Sequence, residues 1–118
     1  MAAGSYDFTI EQGATLSKTM TFYTDATKTD TVDLSAADMN MQIRKVKSSV
    51  DFIDELTSDN SRIDKSDAAN GVIILLFSAT ITAAYDFEEA YYDLEFTSAT
   101  VVSRVLEGVI TLNKEVTK

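Results

Sequence analysis

The chain has 118 residues, 45% of them hydrophobic and 25% charged, and its nineteen Asp and Glu against ten Lys and Arg leave a formal net charge of -9. That length suits one folded domain, and the acidic balance sets nucleic acid aside as a partner because a phosphate backbone would be repelled. With no Cys and no His, disulfides, thiolate chemistry, the usual zinc sites and the commonest general base are excluded, which leaves carboxylates, Lys, Tyr, Ser and Thr for any catalysis.

MAAGSYDF has neither the basic start nor the apolar stretch of a signal peptide, and the longest apolar run, Val72 to Phe77, is far short of the ~20 residues of a membrane helix. A product made and first released in the cytosol, with no membrane partner, is expected.

Along the chain the dominant period is two, the mark of a strand with one face buried. YDFTI places Tyr6, Phe8 and Ile10 on one face, and a turn follows at Gln12 and Gly13. LSKTMTFY aligns Leu16, Met20 and Phe22, interrupted by Lys18, whose stem can snorkel or mark a strand end. TDATKTDT is polar and aperiodic and reads as a loop. MNMQIRKV alternates cleanly, with Met39, Met41 and Ile43 against Asn40, Gln42 and Arg44. VDFIDEL is expected to be a strand with Val50, Phe52 and Leu56 partly in phase and Asp54 breaking the face.

SRID predicts a strand of two or three residues, and Asn70-Gly71 a turn, since both residues tolerate positive φ. VIILLF runs without alternation, as expected for a strand covered on both faces or packed on a partner. SATITAAYDFEEA holds the one helical turn, with Ser78 as its cap and Ile81, Ala84 and Tyr85 at helical spacing. YYDLEFT turns Tyr92, Leu94 and Phe96 inward and Asp93, Glu95 and Thr97 outward. After a connection at Ser98 to Thr100, VVSRVLEGVITL lines up Leu106, Gly108, Ile110 and Leu112, so the last two strands form a hairpin. The total, about seven strands and one short helical turn, predicts an all-β, immunoglobulin-like antiparallel sandwich in a single domain over 1-118, with a small barrel as the alternative.

FTIEQGATLSKTMTF, MNMQIRK, ANGVIILLFSATIT and YYDLEFTSATVVSRVLEGVITLNKEVT, in that order, resemble a family of small tailed-bacteriophage virion proteins with an immunoglobulin-like β-sandwich. The pattern is similar to the N-terminal domain of siphophage upper baseplate proteins, a structural attachment module, and it spans Tyr6 to Lys118. Members often carry a Pro and Gly pair before the strand that YYDLEF matches; this chain reads AYDFEEAY there and has no Pro. The resemblance implies a non-enzymatic virion component, made in the host bacterial cytoplasm, that docks on other phage structural proteins in multiple symmetric copies. The resemblance fixes no location; tail, baseplate or neck is the expected position, and a capsid-surface decoration protein or a carbohydrate-binding module is the alternative.

Few residues invite a chemical reading. Asp59, Asp64 and Asp67, with Asn60 and Ser61, lack the spacing of a calcium loop and are expected to be a solvated loop. Asp86, Glu88 and Glu89, or the pair Asp93 and Glu95, would need an apolar pocket to serve as glycosidase carboxylates, and surface charge is the expected role. No catalytic residue, cofactor or metal is therefore expected. Tyr91 and Tyr92 cannot both face inward, and one of them is expected to fill core or tie a corner to backbone. The other, with Tyr85 and Phe87, is the candidate interface, an aromatic patch for protein contact or weak glycan stacking. Lys18, Lys45 and Asp54 are candidate edge guards, while YDFTI or VITLN is a candidate strand donor to a neighbouring sheet.

Overall fold

The computed structural model describes residues 4–23, 31–98 and 101–116. The strands are β1 (Gly4–Ser5), β2 (Phe8–Glu11), β3 (Leu16–Thr21), β4 (Asp38–Arg44), β5 (Asp54–Thr57), β6 (Ile63–Asp64), β7 (Val72–Phe77), β8 (Glu89–Ser98) and β9 (Val101–Asn113). Helix α1 spans Ala79–Ala84, and a 3-10 turn covers Ala68–Asn70. The large sheet runs β1-β9-β8-β4-β5 with β2 also on β9, and the small sheet runs β3-β7-β6. Their inner faces share one core, so the molecule is the expected all-β sandwich. Seven strands have four or more residues, and the two-residue β1 and β6 bring the described total to nine.

One pairing departs from an antiparallel sandwich. Both β1 and β2 lie parallel to β9, with Gly4 opposite Leu106 and Phe8 to Glu11 opposite Ile110 to Asn113. The two predicted strand donors, YDFTI and VITLN, therefore satisfy each other and offer no free edge along that pairing. Between β1 and β2 the ladder is interrupted at Tyr6 and Asp7 without a change of register, and the Asp7 carboxylate accepts the Val109 N–H at 2.8 Å in place of a backbone carbonyl. Gly108 makes this approach possible: a Cβ there would stand 2.0 Å from the Tyr6 carbonyl oxygen. The Tyr92 hydroxyl donates to that same oxygen at 2.5 Å, so the inward tyrosine of the pair ties β8 to the N-terminal strand. Burial first, then the nearby Asp7 charge, pushes the Tyr92 hydroxyl pKa above its ordinary value. At about 3.3 Å per residue, the 13 residues of β9 extend roughly 40 Å.

Alternation fills the core as expected from Phe8, Ile10, Met39, Met41, Ile43, Leu94, Ile110 and Leu112. Phe96 is half-buried, with its ring edge-on to Phe22 at 5.2 Å. Strand β7 corrects one expectation. Ile73, Leu75 and Phe77 enter the core, while Val72, Ile74 and Leu76 lie half-exposed on the outer surface, so VIILLF alternates although its composition hides it.

The VDFIDEL strand is also corrected, since pairing starts only at Asp54 and Val50 and Phe52 stay in a loop, 92% and 47% exposed. Arg44 holds that loop by donating from Nη1 to the carbonyls of Ser49 and Val50 at 2.8 and 2.6 Å. Lys45 falls outside β4, which ends at Arg44, and so cannot guard that strand's edge. The predicted TDATKTDT loop lies outside the described residues but for Thr31, as do Ala99 and Thr100 of the β8–β9 connection.

Helix α1 forms as predicted. The Ser78 hydroxyl accepts the Ile81 N–H at 3.2 Å, satisfying a donor that has no partner within the helix. Thr82, fully buried, accepts the Gly13 N–H at 3.0 Å and donates to the Ala14 carbonyl at 2.9 Å. A short helix is thereby locked onto the β2–β3 turn. That turn reverses at Gly13, φ 82°, and the 3-10 turn closes at Gly71, φ 78°, both in the region that favours glycine.

Candidate interaction surface

On the large sheet the outward positions are charged. Gln42 and Arg44 of β4 stand beside Asp93 and Tyr91 of β8, and Asp93 in turn beside Glu107 of β9. Arg104 reaches Asp93 at 3.4 Å and Glu107 at 3.8 Å, and Gln42 donates to Glu55 at 2.7 Å. Between Arg44, Lys47, Tyr91, Asp93, Arg104 and Glu107 lies an open concavity of about 180 Å³. The Lys47 ammonium stands 5.9 Å from the centre of the Tyr91 ring, a cation over an aromatic face.

Next to this concavity the β4–β5 loop, residues 45–53, puts large apolar side chains into solvent: Val46, Val50, Phe52 and Ile53 are 50%, 92%, 47% and 37% exposed. The Arg44 guanidinium covers the Phe52 ring at 6.0 Å. Arg44, Lys45 and Lys47 outnumber the one carboxylate of the loop, Asp51, and make this end locally basic in an acidic chain. Val50 and Phe52, expected on a strand, are loop residues instead. The missed signal was the LysValLysSerSer stretch before them, too polar and small to continue β4.

Of the predicted aromatic patch only Tyr91 reaches the surface, at 36% exposure. Tyr85 and Phe87 are 5% and 3% exposed and pack on each other with ring centres 5.3 Å apart. Both are corrected from interface to core, since they belong to the buried cluster that the two sheets share. The Tyr85 hydroxyl donates to Asp54 at 2.5 Å, and Arg62 meets the same carboxylate through both terminal nitrogens at 3.2 and 2.8 Å. Arg62 also donates from Nε to the Leu76 carbonyl at 2.8 Å. Burial pushes the Asp54 carboxyl up, but Arg62, Tyr85 and the Glu55 N–H outweigh it and hold the pKa below the usual carboxylate value. The Tyr85 hydroxyl is pushed up by burial and by Asp54. Asp54 thus closes one end of the sandwich as part of a polar latch between β5, β7 and the α1–β8 connection.

The acidic loop residues serve their own turns. Asp64 accepts the Ser66 N–H at 2.8 Å, Asp67 accepts from the Asn70 amide at 2.7 Å, and Asn60 caps Thr57 and Arg62 N–H groups at 2.9 and 3.0 Å. Among the described residues no cluster of carboxylates converges as a metal site. Of the proposed acid pairs, Asp93 is engaged by Arg104, and Asp86, Glu88 and Glu89 are exposed.

The small sheet presents the opposite surface. Its outward residues on β3 and β7 are Ser17, Thr19 and Thr21 beside Leu76, Ile74 and Val72. No charged residue occurs from Ala68 to Tyr85, and Lys18 alone is charged from Gln12 to Tyr23. Lys18 points inward, its ammonium 4.9 Å from the centre of the Tyr6 ring, so its stem snorkels as predicted.

No protein-family model matches the chain, and no curated protein matches it.

Proposed function

We propose that this chain is a non-enzymatic structural component of a tailed-phage virion, an adaptor in the tail, baseplate or neck that docks on other virion proteins. The reading rests on the resemblance of its ordered segments to that family. The observation that carries it is the β4–β5 loop, which holds Val46, Val50, Phe52 and Ile53 in solvent beside Arg44, Lys45, Lys47 and Tyr91. Loops borne on a rigid scaffold are where binding residues concentrate, and apolar anchors in a loop whose cations outnumber its one carboxylate, Asp51, suit an acidic partner surface. The rigid sandwich sets the loop's position, and repetition around a symmetric ring turns modest contacts into stable attachment. Burial of Tyr85 and Phe87 leaves Tyr91 without the aromatic row that glycan stacking would use.

Fractionation of an infected-cell lysate tests the proposal. The chain is expected to co-sediment with purified particles and to be lost from them when Phe52→Asp and Val50→Asp are introduced together. Recovery solely from the non-particle fraction would overturn it, and localisation on the capsid surface would replace the tail position with the decoration role.

A further inference from the structure

The exposed edge of the small sheet carries an inference that does not depend on the virion reading. In the small sheet β3 is terminal, paired through Leu16–Thr21 with Phe77–Val72 of β7 and with no described strand on its other side. The same register continues to the Phe22 N–H, which donates to the Gly71 carbonyl at 2.8 Å. Even-numbered residues of β3 therefore direct their backbone groups at β7, and Ser17, Thr19 and Thr21 direct theirs outward. The first strand, which could have filled this position, is spent on β9.

An open edge is a template for another strand unless charge or shape blocks it. The two-residue β1, Gly4–Ser5, is too short to offer an edge of its own, and the other outer strands hold carboxylates: Glu11 on β2, Asp54 and Glu55 on β5, Asp64 on β6. Strand β3 has none, and its one charge, Lys18, is turned inward over Tyr6. In a chain of net charge -9, this is an edge that two copies can bring together without opposing carboxylates on the paired strands.

We propose that β3 pairs antiparallel with β3 of a second copy across a two-fold axis through Thr19, joining the two three-stranded sheets into one continuous sheet. In that register Ser17 meets the second copy's Thr21 and Thr19 meets Thr19, all of them hydrogen-bonding positions, and threonine pairs are favourable across strands. Lys18 then lies opposite Met20. An axis one residue earlier would set Lys18 against Lys18, and like charges directly opposite select against it.

Sedimentation velocity on the purified chain over a wide concentration range tests this. The wild type is expected to show a concentration-dependent dimer. Thr19→Lys and Thr19→Glu, exposed positions that leave the core untouched, each lose the dimer, and mixing the two variants restores it. Circular dichroism checks that both variants keep the wild-type fold. A wild type that stays monomeric throughout, a dimer that persists in both variants, or a mixture that fails to associate would overturn the assignment. Because the readout uses the isolated chain, its failure leaves particle co-sedimentation as a separate question.

Discussion

The inner faces of the two sheets are chemically interchangeable, since Met41, Ile43 and Leu94 of one meet Ile73, Leu75 and Phe77 of the other with exposures of 0% or 1%. Their outer faces differ. The large sheet sets Arg44, Asp93, Arg104 and Glu107 around an open concavity, while β3 and β7 offer Ser, Thr, Val, Ile and Leu. Burial constrains the fully buried inner positions to be apolar whichever sheet they belong to, and Lys18 is tolerated on the inner side because it is only half-buried, its ammonium over the Tyr6 ring. Outer positions are free of that demand, so charge gathers around the concavity of one sheet while β3 and β7 of the other turn no charged side chain outward.

If the inner faces are equivalent, Leu94→Ala in the large sheet and Leu75→Ala in the small one, both at 0% exposure, should each cost about 3 kcal/mol in urea unfolding, the usual range for a buried leucine. Two well-separated losses would mean that one sheet dominates the core. Thr82→Val keeps the side-chain shape but strands the Gly13 N–H and the Ala14 carbonyl. A loss of about 2 kcal/mol is expected, and it tests whether α1 is part of the sandwich or an appendage to it.

Asp54→Asn removes the charge from a pair whose side chains are 17% and 18% exposed, and should cost about 1 to 2 kcal/mol at neutral pH. Because the folded-state pKa of Asp54 is lowered, its contribution is complete above the unfolded value of about 3.9 and is lost as pH falls through the folded value. The gap between wild type and variant should therefore close in acid, and a gap independent of pH would count against the latch. The smallest effect belongs to the charged outer face: Arg104, 54% exposed beside Asp93 at 42%, should cost less than about 0.5 kcal/mol when changed to Ala. A larger loss would make that face part of the scaffold and blur its contrast with the small sheet.

Legibility followed the reach of the interactions. MNMQIRKV and YYDLEFT alternate so regularly that β4 and β8 could be read residue by residue, and the Ser78 cap announced α1 because a cap bonds within its own turn. Val50 and Phe52 were misread because a strand's start depends on where its partner ends, and Arg44 fixes the preceding loop through carbonyls no local pattern reveals. VIILLF was ambiguous because both of its faces are apolar and only one is covered. Tyr85 and Phe87 looked like surface among Asp86, Glu88 and Glu89, yet the latch to Asp54 draws one inward and ring packing the other.

Side-chain alternation and the absence of Cys and His determined, from the sequence by itself, an all-β sandwich lacking thiol and imidazole chemistry, since both depend only on neighbouring residues and composition. The parallel placement of the first strand on the last, the absence of a second neighbour for β3 among the described strands and the solvent exposure of the β4–β5 loop were decided by the tertiary structure. Each depends on which distant segment comes to lie beside it, as when Gly108 leaves room for the Tyr6 carbonyl, and a strand carries the same alternating pattern whether or not that neighbour comes.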